Sequence, residues 1–303
     1  MPLPLLLACL MAIGIFFPDG SARPSSPGRH DHDRFVTQPA EAVREFQAFK
    51  VSFDTDEDGI ALGVPDWVAY ELRRNPSPKG KANPRPSRWS TDSDLHSRGI
   101  APDDSSYRNS GYSRGHMCMK SHAGRISAKA DRETHTVLNA CPQLQGMNGG
   151  VWLAIENLTG QWADDFGSVW IVTGPVFLKM PCDWIGDPGE IPVAVPDAFF
   201  KIVIRDGGDD LQVLAFLVPM HGDRNHRRQT ADATPYLTSV DIVESLTGLD
   251  FLSSLPSDQE SILEQSIATR LWETPAKGIA PRAERSSAGA DDPSGGAPSP
   301  TGG

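Results

Sequence analysis

Apolar and polar positions alternate over residues 46–53, the period of a half-buried strand. Residues 66–72 predict a second strand, and the acidic stretch 54–59, ending in Asp58-Gly59, a turn between them. The spacing of acids in that stretch imitates a calcium loop, but its twelfth position is Pro65 instead of Glu, which favours the turn. Residues 76–86 are rich in Pro, Lys and Asn and read as a loop. Residues 130–140 fit a helix, and residues 147–158 fit one more clearly. Residues 169–172 are a continuous apolar strand, ended by Thr173-Gly174-Pro175. Residues 198–204 and 211–218 predict two more strands. Residues 239–255 predict an amphipathic helix with Ser239 as its N-cap and Gly248 near its end. Strands in runs with few helices between them predict an α+β fold with a mainly antiparallel central sheet.

The two ends differ from this middle. Residues 3–17 form an apolar run of signal-peptide length, too short for a comfortable membrane span. Gly20, Ser21 and Ala22 then offer a cleavage site, so 1–22 is expected to be a signal peptide. The start of that segment carries no Lys or Arg, which leaves an uncleaved anchor as the alternative. Leu6-Leu7-Ala8-Cys9 resembles a lipoprotein box, but apolar sequence continues past Cys9 and argues against lipidation. Residues 23–45 are polar and read as a linker, and 46–273 as one domain. Residues 274–303 are rich in Ala, Gly, Pro and Ser and are expected to be disordered. The expected location is secreted or periplasmic, with no stable membrane partner after cleavage.

Net charge changes the picture only when it is mapped. The chain as a whole carries −11. Between Tyr70 and Arg132, however, 13 Lys/Arg stand against 6 Asp/Glu, a local +7. This segment holds Arg85, Arg88 and Arg108 and reads either as a phosphate-facing surface or as a solvated basic face.

The densest chemistry is Tyr112-Ser113-Arg114-Gly115-His116-Met117, followed by Asn139, Asn148 and Glu156. His116 supplies a proton acceptor near neutral pH, and Gly115 lets backbone approach a substrate. Arg114 suits phosphate charge, or else a structural salt bridge. Asn148 offers a hard neutral oxygen to a cation that keeps most of its waters, or else an N-cap. Glu156, two turns on, suits metal-bound waters, or is an exposed helical Glu. Asn139 suits the orientation of water, His116 or phosphate, or is a turn residue before Pro142. These parts meet the needs of metal-assisted phosphodiester hydrolysis.

Cys9 leaves with the signal, so Cys118, Cys141 and Cys182 remain, an odd number. If His116 and Asn139 converge, Cys118 and Cys141 stand close enough to bridge; three buried thiols are the alternative. His116, Cys118, His122 and Cys141 also admit a zinc site, at a spacing that is not a standard zinc pattern.

Together these residues resemble the DNA/RNA non-specific endonucleases of the ββα-metal class. Ser113-Arg114-Gly115-His116 stands where that family has Asp-Arg-Gly-His, preceded by the similar run Tyr107-Arg108-Asn109-Ser110-Gly111-Tyr112. Asn139-Ala140-Cys141-Pro142-Gln143 resembles its Asn-x-x-Pro-Gln segment, and Asn148-x3-Trp152-x3-Glu156 its metal-binding helix. Thr173-Gly174-Pro175-Val176-Phe177 and Leu246-Thr247-Gly248-Leu249-Asp250-Phe251 also have counterparts, so the resemblance covers roughly residues 46–256. It implies a ββα core on an antiparallel sheet flanked by helices. It also implies cleavage of DNA and RNA to 5′-phosphate products. His116 would be the general base. Asn148 would bind a single Mg²⁺, with Mn²⁺ as the alternative, and Glu156 would hold its waters. Arg114 and Asn139 would position phosphate, and Arg85 or Arg88 would bind substrate. A homodimer and a protein inhibitor are compatible with it.

Two positions depart from the family pattern. Ser113 replaces the motif Asp, and Gly160 stands one turn after Glu156 where some members carry Arg. The first departure supports a second reading, a non-catalytic nucleic-acid-binding descendant. A third reading is a small extracellular domain held by metal or disulfide.

Overall fold

The computed structural model describes residues 30–273 apart from 39–41, 56–59, 77–83, 180, 182, 209 and 222–231. The expected signal peptide, the tail, Cys9, Cys182 and most of the 54–59 turn lie outside the described residues.

In chain order the strands begin with β1 (Val36–Gln38), β2 (Ala42–Glu45), β3 (Lys50–Phe53) and β4 (Pro65–Arg73). β5 (Ser113–His116), β6 (Ala140–Gln143), β7 (Ser168–Val176), β8 (Trp184–Ile185) and β9 (Val193–Ala194) follow. β10 (Ala198–Asp206), β11 (Leu211–Pro219), β12 (Leu237–Thr238) and β13 (Asp250–Phe251) complete them. The helices are α1 (Ser93–Ser97), α2 (Lys120–Ala123), α3 (Ala128–Glu133), α4 (Gln145–Met147), α5 (Leu153–Phe166), α6 (Val240–Thr247) and α7 (Ser257–Gln265).

A seven-stranded sheet runs in the order β12-β11-β10-β7-β4-β3-β2, every pair antiparallel. Side chains alternate along each strand and so divide the core in two. Val169 and Ile171 of β7, with Phe199 and Val203 of β10, face α5 and the residues around the β5–β6 hairpin. Trp170, Val172, Phe200, Ile202 and Ile204 face the other way, toward α6 and the β1–β13 pair. The fold is therefore α+β, with a mainly antiparallel sheet flanked by helices.

Several boundaries differ from the sequence reading. Residues 30–38 and 42–45, expected in a linker, belong to the fold. Phe35 and Val36 are buried against Trp170 and Phe251, and β2 extends the main sheet. The first strand is shorter than expected, because Phe46 N–H bonds Phe49 O at 2.8 Å and turns the chain before β3. β7 continues through Gly174 and Pro175. A Cβ at Gly174 would lie 2.4 Å from Asp66 O and 2.8 Å from the Phe200 ring, so only glycine allows this approach. Pairing to β4 stops at Val68↔Thr173, so the missing Pro175 N–H costs no bond on that side. The helix expected over 130–140 ends at Glu133, and residues 137–139 form a 3₁₀ turn that feeds β6. The helix expected over 239–255 ends at Thr247, because Gly248 adopts φ +71° and redirects the chain toward the β13 pairing with β1. Among the described residues no helix is long and apolar enough to cross a membrane.

Candidate active site

β5 and β6 form a separate antiparallel hairpin with Gly115 opposite Cys141 and His116 opposite Ala140. A Cβ on Gly115 would fall 2.0 Å from Gln143 Oε1, so the glycine makes room for a buried amide. His116 closes β5. Its ring lies 4.6 Å from that of Trp89 and 5.1 Å from that of His135, edge-on to the latter. Its Nε2 is buried and has no hydrogen-bond partner among the described residues. Burial, helped by His135, Arg85 and Lys120, pushes the imidazole down to about 3, so it stands neutral.

Asn139 is buried beside it and its amide is used within the protein. Oδ1 accepts from Cys118 N at 2.7 Å, and Nδ2 donates to Cys118 O and Thr134 O, both at 3.0 Å. This clamp fixes the chain that follows His116 between β5 and α2, so in this geometry the Asn139 amide is spent on backbone groups. Cys118 and Cys141 are both buried free thiols, which corrects the bridge considered above. Both pack into the apolar core on the site side of the sheet. Burial pushes the Cys141 thiol well up, and that of Cys118 too. The zinc reading also fails. His122 contacts Tyr70 OH through Nδ1 at 3.2 Å and donates Nε2–H to Glu156 O at 3.1 Å.

The helix carrying Asn148 and Glu156 is broken. Asn148–Trp152 is a wide π turn, interrupted where Gly150 takes φ −104° and ψ −113°, and regular α-helix resumes at Leu153. Asn148 lies inside this turn and not at an N-cap. Trp152, midway between Asn148 and Glu156, donates its indole N–H to His116 O at 3.4 Å. That bond ties the strand of the candidate base to the helix of the candidate ligands. Among the described residues, neither the Asn148 amide nor the Glu156 carboxylate has a hydrogen-bond partner. Glu156 is only 5 % exposed, and burial pushes its carboxyl up. Two free oxygen donors without an acidic cluster fit one hard cation that keeps most of its waters. The acidic trio found among the described residues, Asp241, Glu244 and Glu264, sits instead on α6 and α7.

A hairpin, a kinked helix and a histidine poised between them form a ββα unit. The sequence model for the DNA/RNA non-specific endonucleases matches residues 26–258. The chain belongs to that family. "Nuclease 1, mitochondrial" of Schizosaccharomyces pombe is 31% identical over 182 residues, covering 54% of this chain and 53% of that protein. The chain therefore spans about half the length of that relative. A "Nuclease" of Nostoc is 29% identical over 215 residues, covering 68% of this chain and 73% of its own. The crystal structure of an EndoG/EndoGI complex contains a chain that superposes with a TM-score of 0.62 at 25% identity. The match covers 73% of this chain and 89% of that one.

Against the family pattern, the arginines are placed unevenly. Arg114 Nε lies 2.8 Å from Asp104 Oδ1, and its Nη2 donates to Asp104 O, so the salt-bridge alternative describes its geometry. Arg85 is exposed, and its charge reaches both His116 and His135. Arg88 is exposed one residue before Trp89. Arg108 is exposed too, but its charge acts on Asp103 and Glu190. The Ser113 hydroxyl donates to Gln145 Oε1 at 2.7 Å and ties β5 to α4. At Gly160, Arg125 fills the space: its Nη2 donates to Gly160 O at 3.0 Å and would lie 3.1 Å from a Cβ there.

Sequence reasoning missed Trp89, His135 and Lys201. His135 is buried beside His116, and its own Nε2 has no hydrogen-bond partner among the described residues. Lys201 is fully buried, with its Nζ 4.3 Å from the centre of the Trp152 ring. A lone charge inside the apolar run 198–204 was the signal available for it.

Proposed function

We propose that this chain is a metal-dependent endonuclease that hydrolyses phosphodiester bonds of DNA and RNA without sequence preference and leaves 5′-phosphate ends. The observation that carries this reading is the Trp152 bond to His116 O. It joins a neutral imidazole to a helix whose Asn148 amide and Glu156 carboxylate make no hydrogen bond among the described residues. His116 accepts the proton of the attacking water. A base depressed this far is weak, but the negative charge of a phosphodiester beside it opposes the depression. Asn148 would hold a Mg²⁺ ion, with Mn²⁺ as the alternative, and Glu156 would hold its waters. Such an ion supplies charge stabilisation at phosphorus and at the leaving oxygen. Arg85, whose charge reaches His116, and Arg88, one residue before Trp89, are exposed and suit phosphate contacts, which carry affinity without sequence information. Export follows from the apolar run 3–17 and its small-residue cleavage site. A protein inhibitor is a further proposal, because the similar EndoG structure is titled as an inhibited complex.

The test uses the chain from Arg23, supercoiled plasmid and single-stranded RNA, with Mg²⁺ or with chelator. Cleavage of both substrates is expected with Mg²⁺ only. His116→Ala is expected to lower the rate about 10²–10⁴-fold, the usual contribution of a general base, and Asn148→Ala to abolish the metal response. Intact substrates, with a folded protein that still shifts DNA on a gel, would identify a binding module in which Ser113 marks a decayed site.

A further inference from the structure

Lys201 lies at the centre of the sheet, where a charge is least welcome. β10 directs Phe199, Lys201 and Val203 to the face that packs against α5. Phe199 also meets the Trp152 ring, with centroids 5.6 Å apart. Lys201 has no exposed surface, and its Nζ makes no hydrogen bond among the described residues. An ammonium taken out of water needs compensation. Two groups provide it. The Trp152 ring lies 4.3 Å from Nζ, a cation–π contact in a site without competing water. The Glu156 carboxylate, buried one helical turn after Trp152, is the second; it acts across a gap, with no hydrogen bond to Lys201 among the described residues. Burial pushes the Glu156 carboxyl up and the Lys201 ammonium down, and each partner's charge opposes the shift of the other.

Both groups belong to the kinked helix. Trp152 stands four residues after Asn148 and four before Glu156, and its indole N–H reaches His116 O at 3.4 Å. One buried ammonium thus acts on the residue that joins base strand to helix, and on the carboxylate of that helix. We propose that Lys201 is a positioning residue. Its charge holds the Glu156 carboxylate and the Trp152 ring in register with His116, and so sets the affinity of the site for a divalent cation. This rests on the metal-site reading given under Proposed function.

The experiment measures Mn²⁺ binding by electron paramagnetic resonance in the wild-type chain, Lys201→Met, Glu156→Gln and the double variant. Lys201→Met is expected to weaken Mn²⁺ binding about tenfold or more, the size seen when a group behind a metal ligand is lost. Glu156→Gln is expected to do the same, and the double variant to be no weaker than either single one, because both remove one buried charge pair. Unchanged affinity in Lys201→Met, or losses that add, would overturn the proposal. If Lys201→Met does not fold while the double variant does, the two charges depend on each other, as proposed. If neither folds, Lys201 serves the fold independently of Glu156 and the proposal fails. The nuclease reading fails separately, when the wild-type chain binds Mn²⁺ yet cleaves nothing. A wild-type chain that binds no Mn²⁺ overturns both.

Discussion

Asn139 shows how a residue picked out for chemistry can serve geometry. Its amide satisfies three backbone groups of a buried turn, two on Cys118 and one on Thr134. Asn139→Ala leaves those groups without partners, and is expected to lower the unfolding free energy by about 3 kcal/mol, since each orphaned buried group costs roughly 1–3. Urea unfolding monitored by fluorescence measures this. A variant that is as stable as wild type yet inactive would show instead that the amide works on substrate. His116, Asn148 and Glu156 stand out in the sequence because the motifs that carry them resemble the family pattern; type and spacing alone left a bland alternative for each. Lys201 is visible there only as an oddity. The residues that give it meaning, Trp152 and Glu156, lie about 45 positions earlier, and no local pattern connects β10 to α5. His135 is hidden for a similar reason. Its neighbour Trp89 is brought to it by a backbone bridge from Ser90, whose N–H bonds His135 O at 2.9 Å.

At the scale of elements, the long strands read well because apolar runs with β-branched residues have few other solutions. Ends read less well, because they depend on partners distant in sequence. The helix after Ser239 starts as its cap predicts: Ser239 Oγ accepts from Ile242 N at 3.2 Å. Ser239→Ala is expected to destabilise the protein by about 1 kcal/mol, the usual worth of an N-cap, and a thermal melt with its van't Hoff analysis checks this. The end of the same helix was overestimated because Phe251, apolar in helical register, is claimed by β1 instead. The broken helix carries the larger lesson. On an unbroken α-helix, residues eight apart stand about 80° from each other around the axis. The break at Gly150 frees Asn148 from that fixed offset to Glu156. The sequence pattern Asn-x3-Trp-x3-Glu suggests a plain helix, and only the glycine pair inside it hints otherwise.

For the whole molecule, the N-terminal segment that packs behind the sheet brings acid sensitivity. Burial pushes His32 down to about 4. Burial disfavours the charged form of Glu71, yet His30, Arg73 and Asp31 N–H outweigh it and hold the carboxyl at about 2. Both groups have folded values below their unfolded ones, so both contribute stability that is present at neutral pH and lost on acidification. The His32 contribution should disappear as pH falls from about 6.5 to about 4, and the Glu71 contribution from about 4.5 to about 2. Urea midpoints taken across pH 7 to 2.5 are expected to fall in two stages. His32→Gln should flatten the upper stage and Glu71→Gln the lower. An unchanged slope in either variant would assign that stage to other groups. The sheet that separates these groups from His116 has a consequence of its own. Damage behind it, at Phe200 or Phe251 for example, alters how many molecules are folded and leaves the surroundings of His116 in place, while damage in front alters the folded fraction and the candidate site together. A change behind the sheet is therefore read in abundance alone, and a change in front in abundance and in the candidate site at once.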